Sequence, residues 1–227
     1  MPSPTGTPRP KTTPQEAGTA QHDEEKTIAA TTFRLLALGA VGMSCLIALL
    51  PAAGHDQMWG LYMARLVRHG PKLYGPELFE SNPPLIVWLS IVPSALASWL
   101  HLPDTAVGKL LVLGIEAGTG AVCLRLLRVL WGRARLSKSM LWALGFMYIA
   151  VFAVMPARDF GQRDHILALL CLPYVLAAAL DVEGLAVPGW VGVAIGAAAG
   201  VGIALKPHQV LVVVAVEAAV VVLASRR

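Results

Sequence analysis

The number of times that this chain crosses a membrane depends on the stretch "PPLIVWLSIVPSALASWL", residues 83–100. It is long and apolar enough to cross a bilayer as a helix, which takes roughly 17 to 25 residues. It also opens with two prolines, contains Pro93 and several serines, and carries Trp88 and Trp99, which suit a membrane–water interface. The stretch alone therefore leaves two interpretations: a helix that crosses the bilayer, and a helix that lies on its surface.

The composition identifies the class of protein. Hydrophobic residues make up 56% of the chain and charged residues only 14%, and the mean hydropathy is +0.64. These values indicate an integral membrane protein. The net charge of +4 comes from Lys and Arg gathered in short loops, so it indicates membrane orientation and argues against nucleic-acid binding.

The cysteines give no sign of a disulfide framework or a zinc site. Cys45, Cys123 and Cys171 all lie within apolar runs, their number is odd, and they have no metal-ligand spacing.

Residues 1–32 are rich in Pro, Thr and polar side chains without apolar periodicity, which predicts a disordered cytoplasmic tail. The membrane domain would then cover 33–227. Its first apolar run lacks a signal-peptide cleavage pattern, which favours a first membrane span.

The number of crossings follows from the apolar runs and the basic loops. Seven runs are long enough to be candidate spans: 33–53, 83–100, 106–130, 139–156, 164–182, 189–205 and 208–224. If all seven cross, the basic loop "WGRARLSK" at 131–138 lies outside, against the positive-inside tendency. Placing 83–100 on the outer surface removes the conflict. We therefore predict an all-α protein with six transmembrane helices and an external loop at 54–105, with seven spans as the alternative.

The first part of this external loop has helical periodicity. Its apolar and basic residues recur at spacings of three and four from Asp56 onwards, in "DQMWGLYMARLVRHG". This predicts a short surface helix. Asp56 at its start could cap the helix and complement its dipole, or act in catalysis.

The stretch "HDQMWGLYMARLVRHGPKLYGPELFESNPPLIVWL", residues 55–89, resembles the first external loop of the GT-C glycosyltransferases. The branch that it resembles contains the aminoarabinose and protein mannosyl transferases. In that branch the loop carries two juxtamembrane helices, and the resemblance implies that Asp56 is the catalytic acid and that Glu80 matches the acid before the two prolines. This chain has Gln57 and Asn82 where the branch often has an acid and a Lys.

Two later stretches resemble the same family. "ARDFGQRDHILALLCLPY", residues 157–174, is similar to its second external loop, which implies roles for Arg158 and Asp164, with Arg163 as a neighbour. "GIALKPHQVLVVV", residues 202–214, is similar to a later segment in which a glycine-rich span ends at a Lys, here Lys206.

The resemblance implies an activity. Such an enzyme moves a sugar from a polyprenyl-phosphate donor to a glycan, lipid or protein acceptor on the external or periplasmic face of the bacterial inner membrane. Asp56 and Glu80 would be catalytic, and Arg158, Arg163, Asp164 and Lys206 would bind the substrate and its lipid phosphate. The family has more spans than this chain, so the chain corresponds to its N-terminal half.

Other interpretations start from polar residues that these roles leave unused. Glu116 and Glu217 lie within apolar runs, where placing an ionised acid costs much free energy. They leave open a small-solute transporter or channel subunit, or an acid buried by close helix packing. A truncated, non-catalytic membrane protein is a further alternative. His55, His165 and His208 leave a divalent metal open, although they lack ligand spacing. We predict no other cofactor.

Overall fold

In the computed structural model, residues 14–49, 53–80, 82–132 and 136–225 are described, with the side chains of α1 described from Glu25 to Leu46. Over these residues the protein has eight α-helices: α1 Pro14–Leu49, α2 His55–Arg68, α3 Leu85–Leu100, α4 Asp104–Trp131, α5 Lys138–Ile149, α6 Arg163–Val182, α7 Gly189–Leu205 and α8 Val210–Ala224. The described part contains no strand, only an isolated bridge between Gly75 and Leu78. The prediction of an all-α protein is confirmed.

Short helical segments continue or connect the long helices. A π-helical segment, Ala150–Val154, extends α5. Two 3₁₀ turns, Ala157–Asp159 and Pro207–Gln209, precede α6 and α8.

Four stretches of helix are long and apolar enough to cross a membrane, judged by length and composition: Glu25–Leu46, Asp104–Trp131, Arg163–Val182 and Pro207–Ala224. Three further apolar helices are shorter: Leu85–Leu100, Lys138–Val154 and Gly189–Leu205. Each predicted run is therefore helical, and they divide into four long helices and three short ones.

The tail prediction needs a correction. Helix α1 begins at Pro14, so residues 14–32 are helical where the sequence predicted disorder; residues 1–13 lie outside the described part. The segment from Gln15 to Lys26 contains several Gln, Glu and Ala residues, which have good helix propensity. A helix already nucleated in the apolar run extends through such residues at little cost.

The packing clusters fix the directions of α4, α6 and α7. Val112 of α4 lies in a buried cluster with Ile166 of α6 and Leu205 of α7. A second cluster joins a later turn of α4 to the end of α6 and the first half of α7, through Leu126, Leu180 and Ile195. Helices α4 and α6 therefore run parallel, and α7 runs antiparallel to both.

The directions of α5 and α1 follow from side-chain contacts. The Tyr148 hydroxyl of α5 donates to the Glu116 carbonyl at 2.7 Å, and Ala153, just beyond α5, joins the Val112 cluster. Helix α5 is therefore antiparallel to α4. The Arg34 guanidinium lies 6.0 Å from the centroid of the Trp142 ring near the start of α5. Later residues of both helices, among them Val41 of α1 and Tyr148 of α5, line one groove. Helices α1 and α5 therefore run parallel.

Helix α8 runs parallel to α6. Lys206, just before α8, contacts Asp164 at the start of α6, and Glu217 accepts a hydrogen bond from Tyr174 further along α6. The bundle thus has two ends. We call them the Asp104 end, where α4, α6 and α8 begin, and the Trp131 end, where α1, α5 and α7 enter the bundle.

Helices α2 and α3 lie together at the Asp104 end. The Arg68 guanidinium donates to the hydroxyls of Ser94 at 3.1 Å and Ser98 at 3.0 Å. The Arg65 guanidinium binds the Asp104 carboxylate at 2.7 and 3.1 Å. These contacts attach α2 to α3 and to the start of α4.

Both ends of α3 lie at the Asp104 end. Leu85 packs against the Val112 cluster, while Leu100 is joined to Asp104 by a three-residue connection. The face of α3 that meets its neighbours contains Val87, Ser90, Ser94 and Ala97. The opposite face exposes Trp88 and Trp99, at 58% and 76%. Helix α3 therefore turns Ser90 and Ser94 inward and its tryptophans outward.

Candidate active site

Asp56 is the second residue of α2, and its carboxylate is used for an ion pair. The helix is capped by Gly54 without a side-chain hydrogen bond. One Asp56 oxygen accepts a hydrogen bond from the Arg163 guanidinium at 3.1 Å, and the other lies 3.6 Å from His55 Nδ1. Arg163 is 107 residues away along the chain, so this pair joins the start of α2 to the start of α6.

The surroundings of Asp56 keep it ionised. Burial by itself would raise the pKa of the carboxyl group, but the hydrogen bond and charge of Arg163, together with His55, outweigh it. The net effect lowers the pKa of Asp56 below its ordinary value. Since its side chain is 41% exposed, the carboxylate is both charged and accessible.

Arg163 also binds Asn82, and through Asn82 it reaches Glu80. The Arg163 guanidinium donates to the Asn82 amide oxygen at 2.7 Å. The backbone and side-chain nitrogens of Asn82 donate in turn to one Glu80 oxygen, at 2.9 and 2.7 Å. Asp56, Arg163, Asn82 and Glu80 thus form a continuous hydrogen-bonded chain, which we call the acid–arginine chain.

Glu80 is the buried member of the acid–arginine chain. It is only 4% exposed, and its second oxygen accepts a hydrogen bond from the Trp59 indole. Both carboxylate oxygens are therefore occupied. A buried acid with both oxygens occupied orders the loop around it, which is a different task from that of the accessible Asp56.

Asp164, the residue after Arg163, holds Lys206. The Lys206 ammonium lies 2.6 Å from each Asp164 oxygen. The ion pair is partly open to solvent, with Lys206 24% and Asp164 63% exposed. Consecutive residues at the start of α6 thus bind α2 on one side and the segment before α8 on the other.

Arg158 differs from the other two predicted cations. It lies in the 3₁₀ turn before α6 and is exposed. Within the described ranges its guanidinium makes no ion pair or hydrogen bond, whereas Arg163 and Lys206 are paired with carboxylates. The structure therefore brings together Asp56, Glu80 and Arg163 directly and Asp164 and Lys206 beside them, and leaves the Arg158 charge available.

Two glycines let the loops approach this closely. A Cβ atom at Gly54 would lie 2.5 Å from the Arg158 carbonyl and 2.4 Å from the Gln162 side-chain nitrogen. Gly161 has a φ of +82°, and a Cβ there would lie 2.6 Å from the Gln57 side-chain nitrogen. Both positions need a residue without a side chain.

The sequence did not predict the contacts of four residues around the site. Asn82 and Trp59 complete the acid–arginine chain. Gln57 and His165 follow Asp56 and Asp164 in the sequence and are buried, each 8% exposed. The Gln57 side-chain oxygen and His165 Nε2 have no hydrogen-bond partner among the described residues. Asn82 was visible in the sequence as the residue before Pro83, but no pattern in one sequence pairs it with Arg163.

The geometry also bears on metal binding. Over the described ranges, no three or more His, Cys, Asp or Glu side chains are grouped so that they could hold a metal ion. His55 stacks on the Trp59 ring with a centroid distance of 6.3 Å. His165 accepts a hydrogen bond from the Gly161 N–H at 2.9 Å.

Comparison with known proteins adds no relative: no family model, no curated protein and no solved structure matches this chain. Over the residues that the structure describes, the fold defines an all-helical protein with four helices long and apolar enough to cross a membrane. At one end of its bundle lies a cluster of ion-paired acids and cations.

Proposed function

We propose that this chain belongs to a membrane glycosyltransferase that moves a sugar from a polyprenyl-phosphate donor to an acceptor. The acceptor class is a glycan, lipid or protein that presents a weak nucleophile such as a hydroxyl group. The observation that carries the proposal is the ion pair between Asp56 and Arg163 within the acid–arginine chain. It joins the two external loops whose sequences resemble those of GT-C enzymes.

Asp56 is suited to act as the general base. Its carboxylate is charged, partly exposed, and bonded to Arg163 through only one oxygen. Lone pairs therefore remain for an acceptor hydroxyl. As the acceptor oxygen forms its bond to the anomeric carbon, Asp56 takes the hydroxyl proton and the bond from the anomeric carbon to the phosphate oxygen breaks.

The leaving phosphate needs cations. Arg158 is exposed and can bind phosphate oxygens in bidentate fashion, and Lys206, which is partly exposed in its pair with Asp164, is the second candidate cation. Arg163 has a different part in this mechanism. Its guanidinium is committed to Asp56 and Asn82, so it positions the base and keeps it ionised.

The helix directions support a six-span topology. Two parallel spans must be separated by an odd number of crossings, and α1 and α5 run parallel. Between them α4 is long enough to cross, whereas α2 has only 14 residues. Helix α3 would then not cross, in agreement with its two ends lying at the Asp104 end.

The orientation of these spans follows from charge. In the sequence, residues 1–34, 125–138 and 225–227 together carry more Lys and Arg than 54–109, 157–163 and 206–208, which favours a cytoplasmic N-terminus and Trp131 end. The site then faces the periplasm of a bacterial inner membrane, where polyprenyl-linked sugars are presented.

The test is Asp56→Asn in membranes supplied with a radiolabelled polyprenyl-phosphate sugar, with release of the polyprenyl phosphate as the readout. Loss of a general base should slow transfer by about 10²-fold or more. Asp181→Asn, an exposed acid near the end of α6, is the matched control and should leave the rate unchanged. Full activity of the Asp56 variant would refute the assignment.

A second candidate, a small-solute transporter, is favoured by one observation. Glu116 is only 5% exposed in the middle of α4, and one of its oxygens has no hydrogen-bond partner among the described residues. It lines a groove of about 700 Å³. This function predicts solute flux in proteoliposomes that Glu116→Gln abolishes and Asp56→Asn leaves intact. A folded chain with neither transfer nor flux would instead indicate a non-catalytic protein.

A further inference from the structure

A cleft at the Trp131 end lies between the first half of α1 and the start of α5. Its volume is about 420 Å³. Its polar and aromatic lining includes Lys26, Arg34, Ser137, Lys138, Ser139 and Trp142. The described residues that line it include no carboxylate, although Glu25 lies next to Lys26 in the sequence. We call it the basic cleft.

The basic cleft extends along α1 from a polar level to the apolar level. Lys26 and Arg34 are eight residues apart, so they are separated by about 12 Å along the helix. Arg34 is followed directly by the exposed apolar side chains of Leu35 and Leu36. One end of the cleft is therefore suited to water and head groups, and the other to the start of the hydrocarbon.

The cleft side chains form a preorganised set of cations and hydroxyls. The Arg34 guanidinium lies over the Trp142 ring, 6.0 Å from its centroid, which restrains it by a cation–π contact. Ser137 accepts a hydrogen bond from the Met140 N–H at 3.2 Å, and its hydroxyl lies 2.9 Å from that of Ser139. Such a set matches a phosphate group, whose oxygens accept several charge-assisted hydrogen bonds.

We propose that the basic cleft binds the phosphate head group of an anionic phospholipid. Basic pockets between membrane helices near the cytoplasmic leaflet recognise such head groups. A lipid is favoured over soluble phosphate because exposed apolar residues adjoin the cleft on both helices, Leu35 on α1 and Met140 on α5. These residues can pack against acyl chains. The proposal needs the chain to lie in a membrane and does not depend on the glycosyltransferase activity.

The test measures lipid binding to the purified full chain in detergent by native mass spectrometry. Phosphatidylglycerol should bind in preference to phosphatidylcholine. Lys138→Gln and Arg34→Gln should each weaken phosphatidylglycerol binding about fivefold, since one basic residue near an anionic lipid contributes an effect of that order. Lys72→Gln, which removes an exposed lysine in the loop after α2, should leave it unchanged, and Arg34→Lys should retain most of it.

Three results would overturn the proposal. Equal binding of the two lipids would show that the cleft does not recognise a head-group charge. An equal loss in Lys72→Gln would indicate a general effect of net charge. Displacement of the lipid by millimolar inorganic phosphate would assign the cleft to a soluble anion. Thermal unfolding of each variant separates a binding defect from a folding defect.

Discussion

At the scale of single residues, Asp56 makes stability depend on pH. Its pKa is lowered in the folded chain, because Arg163 and His55 outweigh the effect of burial. A lowered carboxyl pKa adds stability that is present above the unfolded value of about 4 and is lost as the pH falls through the folded value. Because Asp56 is 41% exposed, solvent screening limits this contribution to about 1 kcal/mol or less.

We therefore expect Asp56→Asn to destabilise the protein at pH 7, and we expect this difference to shrink as the pH is lowered through the folded-state pKa, where the wild-type carboxyl becomes protonated too. The measurement is thermal unfolding of both proteins in detergent over this pH range. Asp181→Asn should show no comparable pH dependence. Equal stability of Asp56→Asn and the wild type at pH 7 would mean that the Arg163 pair does not stabilise the fold.

Glu80 should matter more for stability than an exposed acid of the same loop. Glu80→Ala removes the acceptor for the Trp59 indole and for both nitrogens of Asn82. Hydrogen bonds to a buried charged group are worth about 1.5 to 3 kcal/mol, so we expect a loss of this order in the free energy of unfolding. Glu77→Ala, an exposed neighbour, is the control. Equal stability of the two variants would show that the acid–arginine chain does not hold the loop.

At the scale of elements, the contact between the start of α2 and the turn before α6 assembles the site. Gly54→Ala would place a Cβ atom 2.5 Å from the Arg158 carbonyl, a backbone atom that cannot rotate away. The two segments must then move apart, at a cost of about 1 to 3 kcal/mol. Gly196→Ala in α7, where nothing lies within 4 Å of a Cβ, should cause no loss. Comparable thermal unfolding of both variants would contradict the close approach.

The comparison of α7 with α1 shows what the sequence could predict. The apolar run at 189–205 matches α7, because Pro188 precedes it and Lys206 follows it. The start of α1 was missed, because a polar segment without apolar periodicity was interpreted as disordered. Hydrophobicity locates the part of a helix that packs or meets lipid, and it misses a polar extension.

The features of the site also divide into those that the sequence could predict and those that required the tertiary structure. Asp56 could be singled out because it begins a helix after an apolar run. Arg163 was named from the family resemblance, but its pairing with Asp56 could not be predicted, because it depends on the contact between the start of α2 and the turn at Gly161. The same holds for Asn82, which the sequence showed only as a departure from the resembling family. Single-residue roles can be read locally, whereas pairs across the bundle require the tertiary structure.

At the scale of the whole molecule, the directions of the helices are mutually consistent. Helix α1 runs parallel to α5, and α4 runs parallel to α6 and α8. If α1, α4, α5, α6, α7 and α8 each crossed the bilayer, the directions would alternate along the chain. A crossing by α3 would reverse α1 relative to α5 and break the contact between Arg34 and Trp142.

This arrangement makes a sharp prediction for topology. In a background with its three cysteines replaced, single cysteines at Lys72, His101 and Ser137 can be tested with a thiol reagent that does not cross membranes. Six spans place positions 72 and 101 on the outer side and position 137 in the cytoplasm. Seven spans would keep position 72 outside, move position 101 to the cytoplasm and expose position 137. Since α3 separates positions 72 and 101, labelling of both from outside in intact cells, with position 137 labelled only after permeabilisation, would establish that α3 lies on the membrane surface.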